Sequence, residues 1–153
     1  VRGIVAGQAW ESEPAVDLRT YHRAKTGALF EAAVAVGAVA GGGDPEAWLP
    51  VGRALGEAYQ VADDIGDVSA DGDELGKPAG QDNLQGRPNI ALDAGVPEAV
   101  ARLHELLREA IGAVPPCTAR PEVRRLLAGV ATRLLPREVD PALRDDLVAS
   151  ARS

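Results

Sequence analysis

Three aspartates, Asp63, Asp64 and Asp67, have the types and spacing that could bind a metal ion. On a helix, Asp63 and Asp67 lie one turn apart on the same face, separated by about 6 Å of rise, with Asp64 at the edge of that face. Carboxylates this close repel each other unless a cation neutralises them. Mg²⁺ suits such oxygen ligands, because proteins hold it through one or two carboxylates together with substrate phosphates. The spacing predicts a magnesium site, and a solvated acidic helix end is the alternative.

The residues before these aspartates favour the metal site over the solvated helix end. Gln60 lies one turn before Asp63 on the same face, where its amide dipole would point at whatever the metal holds. The preceding residues of this predicted helix are largely apolar, so the helix should be buried. Carboxylates at the end of a buried helix require partners, and a cation is one such partner.

Two lysines could bring positive charge to an anion at this site. Lys25 precedes Thr26 and Gly27 within a predicted helix, which Gly27 weakens by about 1 kcal/mol and could kink, freeing the oxygens of Thr26. Lys77 lies on a predicted loop framed by Gly and Pro, from Gly76 to Asp82, that could close over an anion. A solvated surface lysine and an ordinary turn are the alternative interpretations of these two features.

Helices separated by Gly and Pro are the elements expected to position these residues, which predicts an all-α fold. The apolar half of the first helix, residues 27–40, should lie at the centre of a bundle. Residues 69–88 are predicted to form a polar loop. The predicted elements are an upstream helix ending near Trp10, helices over residues 17–40 and 44–68, a short apolar element at 89–93, and helices beginning at Pro97, Pro121 and Asp140.

Composition limits the function classes. The chain has 153 residues, enough for one domain or a piece of one, and its net charge of −7 disfavours nucleic-acid binding. Cys117 is the single cysteine, which excludes an intramolecular disulfide and favours a reducing, cytoplasmic compartment. The longest apolar stretch, residues 27–43, is too short to span a bilayer. The chain contains no Met, so a fragment or one half of a split enzyme is expected.

The order of these motifs resembles the C-terminal half of the trans-isoprenyl diphosphate synthases, and is most similar to bacterial geranylgeranyl diphosphate synthases of carotenoid-type pathways. The resemblance covers residues 1–153 as part of a single domain and is weakest beyond Cys117. The motifs that carry it, in chain order, are Gly7-Gln8, Lys25-Thr26, Tyr59-Gln60 with Asp63-Asp64 and Asp67, and Gly76-Lys77 with Asp82.

The resemblance implies the C-terminal half of an isoprenoid-synthase helical bundle that condenses isopentenyl diphosphate with an allylic diphosphate. It further implies that the three aspartates hold Mg²⁺ against the allylic diphosphate. Lys25 and Lys77 would contact the same diphosphate, and Thr26 and Gln60 would place oxygen dipoles near the carbocation. Lesser roles are implied for Gln8 in the cavity or helix packing and for Asp82 beside the Lys77 loop or the metal-bound waters.

The sequence also departs from this family. Its first aspartate-rich motif and the N-terminal basic residues for isopentenyl diphosphate are absent, and the acidic residues 71–74 follow the second motif. We therefore expect the isolated chain to be inactive and to expose apolar helices. These helices should make it self-associate as a homodimer, or bind the missing N-terminal half.

Two other function classes are alternatives to this enzyme. A non-catalytic subunit that modulates a full-length synthase through helix packing is the main alternative, and the retained aspartates and lysines argue against it. A class I terpene cyclase is disfavoured, because Asp67 and Asp71 stand where that family needs Ser or Thr and Glu. Of the remaining residues, His104 is expected on the surface and Cys117 is expected to be inert.

Overall fold

The computed structural model describes residues 18–73 and 90–152, with side chains for residues 26–68 and 90–152. Within these ranges every regular element is a helix, which confirms the predicted all-α class. The six helices are α1 (Leu18–Ala40), α2 (Pro45–Asp73), α3 (Ile90–Asp93), α4 (Val96–Gly112), α5 (Arg120–Leu134) and α6 (Pro141–Ser150).

A glycine-rich turn and an aspartate cap separate α1 from α2. Gly42 adopts a positive φ of 72°, and the N–H of Gly43 donates to the carbonyl oxygen of Ala38 at 2.8 Å. This pattern satisfies carbonyls that the helix end would leave unpaired, and the positive φ favours glycine. Asp44 then accepts the backbone N–H of Glu46 at 3.0 Å, which is the contact of an N-cap residue.

Helix α2 is longer than the sequence pattern predicted. The apolar periodicity ends at Val68, whereas the helix continues to Asp73, so residues 69–73 of the predicted loop are helical. Residues 69–73 are mostly polar or glycine, so they carry no apolar periodicity from which a helix could be predicted. Pro50 lies inside α2, which begins at Pro45. The rest of the predicted loop lies outside the described residues.

Helix α4 forms the centre of the core and packs against α2, α3, α5 and α6. The apolar residues of α4 recur at helical spacing and form a buried stripe along one side, while its charged residues lie on the exposed side. This pattern specifies which side of the helix faces the core. The four largest buried side chains of the stripe are at most 1% exposed: Leu103, Leu106, Leu107 and Ile111.

Helix α1 packs chiefly on α2, and its outward face is exposed in the part of the chain that the structure describes. Leu29, Val36 and Val39 are 50%, 69% and 62% exposed, and Ala38 is the buried residue of this half. The prediction that residues 27–40 lie at the centre of a bundle is therefore wrong for the described chain. The expectation that an apolar helix is exposed is confirmed.

Helices α5 and α6 cover the other side of α4. The prediction that His104 lies on the surface is wrong, because α6 covers α4 at this point and leaves the His104 side chain 12% exposed. Its Nε2 lies 3.2 Å from both the Leu143 carbonyl oxygen and Asp146 Oδ2.

Cys117 is exposed and carries a free thiol. None of the helices described is long and apolar enough to cross a membrane.

Candidate functional site

A hydrogen bond between α1 and α2 brings together two motifs that are far apart in the sequence. Gln60 Nε2 donates to Thr26 Oγ1 at 3.3 Å, and the two residues are 34 positions apart and partly buried. This contact places the Lys25-Thr26 pair of α1 next to the helix face of α2 that carries the aspartates. The sequence predicted a shared site for these residues, and the structure places Thr26 and Gln60 in contact.

Glycines on α2 allow the two helices to approach closely enough for this contact. A Cβ built on Gly56 would lie 2.9 Å from Gly27 Cα, and one built on Gly52 would lie 2.7 Å from Glu31 Cα. These distances are shorter than real side chains tolerate, so α1 packs directly on the α2 backbone. Helix α1 continues unbroken through Gly27, so the kink that this glycine could have allowed is not observed.

The aspartates lie on α2 beyond Gln60 and differ in their surroundings. Asp63 and Asp67 are exposed, and Asp64 is partly buried. Asp64 Oδ2 accepts a hydrogen bond from the backbone N–H of Ile90, the first residue of α3, at 3.0 Å. The three carboxylates therefore share one helix but not one environment.

The donor set fits a magnesium ion that completes its coordination with phosphate oxygens. Asp63 and Asp67 offer two exposed carboxylates on successive turns of α2, and Mg²⁺ needs only one or two protein carboxylates when a diphosphate supplies the rest. Among the residues whose side chains are described, no group of three or more His, Cys, Asp or Glu converges on a common point.

The remaining predicted site residues lie wholly or partly outside the described chain. Lys25 belongs to α1, directly before Thr26, but its side chain is not described. Gln8, Lys77 and Asp82 fall outside the described residues altogether. Their predicted contacts with a diphosphate or with the cavity stay predictions.

Sequence reasoning missed three structural features around this site. Ile90 supplies the N–H that Asp64 accepts, and no local signal links residues 26 positions apart. Gly52 and Gly56 are spaced four apart on α2, so a helix-packing role could have been recognised from that spacing. Phe30 and Tyr59 pack with ring centroids 5.8 Å apart across the same helix pair.

The sequence profile of the polyprenyl synthetase family matches residues 1–125. The chain belongs to the polyprenyl synthetase family. The matched range contains every predicted metal and diphosphate residue of this family member, from Lys25 to Lys77. It also contains α1 to α4, the helices that build the described part of the site.

Individual relatives in this family agree with that assignment. The chain is 46% identical over 137 residues to a geranylgeranyl diphosphate synthase of Cereibacter sphaeroides, covering 90% of this chain and 48% of the relative. It is 43% identical over 133 residues to the geranylgeranyl diphosphate synthase of Rhodobacter capsulatus, covering 87% and 46%.

A farnesyl diphosphate synthase of Escherichia coli is 35% identical over 120 residues, covering 72% of this chain and 40% of that relative. No solved structure matches. The chain thus spans about half the length of these two geranylgeranyl diphosphate synthases.

Proposed function

We propose that this polyprenyl synthetase chain forms the part of a trans-prenyltransferase that binds and ionises an allylic diphosphate. The complete enzyme would then join isopentenyl diphosphate to the resulting cation, as a geranylgeranyl diphosphate synthase does. The name of the relatives supports this reaction class, and the retained lysines and aspartates support the chemistry.

The hydrogen bond from Gln60 to Thr26 is the observation that carries the proposal. The reaction separates a diphosphate anion from an allylic cation, so it requires positive charge on one side and oxygen dipoles on the other. The helix contact assembles Thr26 and Gln60 one turn before the carboxylates of α2. The Oγ1 of Thr26 and the Oε1 of Gln60 would then face the developing cation.

Asp63, Asp64 and Asp67 form the acidic run that we propose for Mg²⁺, with the exposed Asp63 and Asp67 as its direct ligands. Bound there, Mg²⁺ would supply positive charge that neutralises the departing diphosphate. Lys25 and Lys77 would contact the diphosphate oxygens as point charges. A cytoplasmic location and a role in carotenoid-type isoprenoid synthesis belong to the same proposal.

A chimera tests this function without requiring activity from the isolated chain. The portion of the Cereibacter sphaeroides synthase that matches this chain would be replaced by residues 1–153, and product formation from isopentenyl and allylic diphosphates would be followed by mass spectrometry. An elongated prenyl diphosphate that disappears with Asp63→Ala is expected. Asp145→Asn, on the exposed face of α6, is the matched control and should leave the yield unchanged.

A folded chimera that binds no diphosphate and forms no product would contradict the proposal. The isolated chain, assayed in parallel, is expected to give no product. If it elongates the substrate by itself, the first aspartate-rich motif is unnecessary or is replaced through self-association.

The exposed apolar face of α1 favours one other function, that of a non-catalytic subunit. Leu29, Val36 and Val39 could pack against a full-length synthase and change its products. Adding the isolated chain to the Cereibacter sphaeroides synthase separates the two functions. A shift in product length that survives Asp63→Ala would support the subunit, whereas no shift would favour the catalytic function.

A further inference from the structure

We propose that Asp64 is a positioning residue that anchors Ile90 to α2, so that Asp63 and Asp67, and not all three aspartates, bind the metal. The assignment to Asp63 and Asp67 rests on the proposed function. The anchoring of Ile90 does not, because it follows from a contact between two described residues.

The contact itself separates Asp64 from its neighbours. Asp64 Oδ2 accepts the Ile90 N–H at 3.0 Å, and the pair is partly buried. A hydrogen bond to an ionised carboxylate is about twice as strong as one between neutral groups. Asp63 and Asp67 are instead exposed to solvent, where an ion carrying its own water and phosphate ligands can reach them.

Helix geometry explains why Asp64 is the one that turns inward. Successive residues are rotated by about 100° around a helix axis, which places Asp64 between the outward direction of Asp63 and the inward direction of Ile65. Ile65 is 3% exposed and belongs to the core. Asp67 lies close to Asp63 in rotation and so shares its outward face. Of the three aspartates, Asp64 is therefore rotated furthest toward the core side of α2.

The Asp64 contact satisfies an amide that lies beside the hydrophobic core. Ile90 packs against the same core cluster that contains Ile65 and the 4% exposed Ala91. An amide N–H beside such a cluster costs free energy if it loses water without gaining an acceptor. Asp64 supplies that acceptor, and it thereby holds the start of α3 against α2 next to the proposed metal ligands.

Substitutions at Asp64 distinguish the two roles because asparagine keeps an acceptor oxygen and loses the charge. If Asp64 is an anchor, Asp64→Asn should keep the Ile90 contact and Asp64→Ala should lose it. If Asp64 is a metal ligand, both substitutions should weaken metal binding strongly. Asp63→Asn provides the comparison for a direct ligand, and Asp145→Asn provides the exposed control.

Two properties of each variant chain would be measured, namely the hydrogen exchange of the Ile90 amide and the binding of magnesium pyrophosphate. Hydrogen exchange of the Ile90 amide, read by NMR, should accelerate about tenfold in Asp64→Ala and only slightly in Asp64→Asn. Calorimetric binding of Mg²⁺ with inorganic pyrophosphate should weaken less than about threefold in Asp64→Asn, because the substitution removes a neighbouring charge and no direct bond to the ion. Asp63→Asn should weaken the same binding more than about tenfold.

Unchanged Ile90 exchange in Asp64→Ala would overturn the anchor. Loss of magnesium pyrophosphate binding in Asp64→Asn as large as in Asp63→Asn would overturn the division of roles. If the unmodified chain binds no magnesium pyrophosphate, the assignment of Asp63 and Asp67 as metal ligands is overturned. The chimera still tests the proposed function, and the Ile90 exchange rates still decide whether Asp64 is an anchor.

Discussion

Helices α1 and α4 show that apolar composition and burial are different properties. From Gly27 to Ala40, α1 carries one charged residue, Glu31, yet Val36 and Val39 are 69% and 62% exposed. Helix α4 carries several charged residues, yet Leu103 and Leu107 are fully buried. The difference lies in the neighbours, because four described helices surround α4 whereas α1 packs chiefly on α2.

The amphipathic pattern specifies the buried side of α4 but not of α1. The charged face of an amphipathic helix specifies its solvent-exposed side, and α4 buries the opposite side. A helix that is apolar all round has no charged face, so its burial depends entirely on which elements pack against it. The exposed face of α1 is therefore a surface suited to another helical partner.

Matched leucine substitutions should give the largest difference between the two helices. Leu103→Ala removes a fully buried side chain from α4 and should lower the free energy of unfolding by about 2–5 kcal/mol. Leu29→Ala removes a half-exposed side chain from α1 and should cost about 1 kcal/mol or less. Urea titration at one fixed protein concentration would measure both. Equal losses would mean that a partner buries α1 in solution.

The glycines between α1 and α2 should respond unequally to alanine. A Cβ on Gly56 would meet the Gly27 backbone at 2.9 Å, so Gly56→Ala should separate the helices and cost about 1–3 kcal/mol. A Cβ on Gly27 would meet no atom within 4 Å, so Gly27→Ala should stabilise the helix by about 0.5–1 kcal/mol. Thermal unfolding of both variants checks this pair, and a destabilised Gly27→Ala would contradict the described packing.

The Thr26–Gln60 contact should contribute a smaller, coupled term. Thr26→Val and Gln60→Leu each remove one partner of the hydrogen bond, and a double-mutant cycle should give a coupling of about 0.5–1 kcal/mol. In the chimera, the same substitutions should lower the turnover number more than they raise the Michaelis constant, because the dipoles act on the developing cation. Additive free energies of unfolding would argue that the contact does not form.

Charges on the outer face of α1 should have the smallest effect on folding and a clear effect on association. Val36→Lys with Val39→Lys changes two exposed positions near the helix C-terminus, so the free energy of unfolding should change by about 0.5 kcal/mol or less per site. Light scattering should show self-association of the unmodified chain and its loss in the double variant. A monodisperse unmodified monomer would contradict the expectation of self-association.

Much of the fold could be anticipated from local signals. Proline and glycine mark helix ends, and Asp44 and Asp140 cap α2 and α6 as their positions before proline predict. The extension of α2 to Asp73 was missed, because a run of mostly polar residues carries no apolar periodicity. The burial of His104 was missed for another reason, since it depends on where α6 packs on α4.

Residue type and helical spacing are enough to predict the helical class, the order of the motifs and the shared helix face of Asp63 and Asp67. Tertiary packing was needed to establish that Thr26 meets Gln60, that Asp64 accepts the Ile90 N–H and that α1 leaves a face exposed. These contacts join residues more than 20 positions apart. No local pattern contains them, because they depend on how whole helices pack, on backbone approach at Gly52 and Gly56, and on which partners are present.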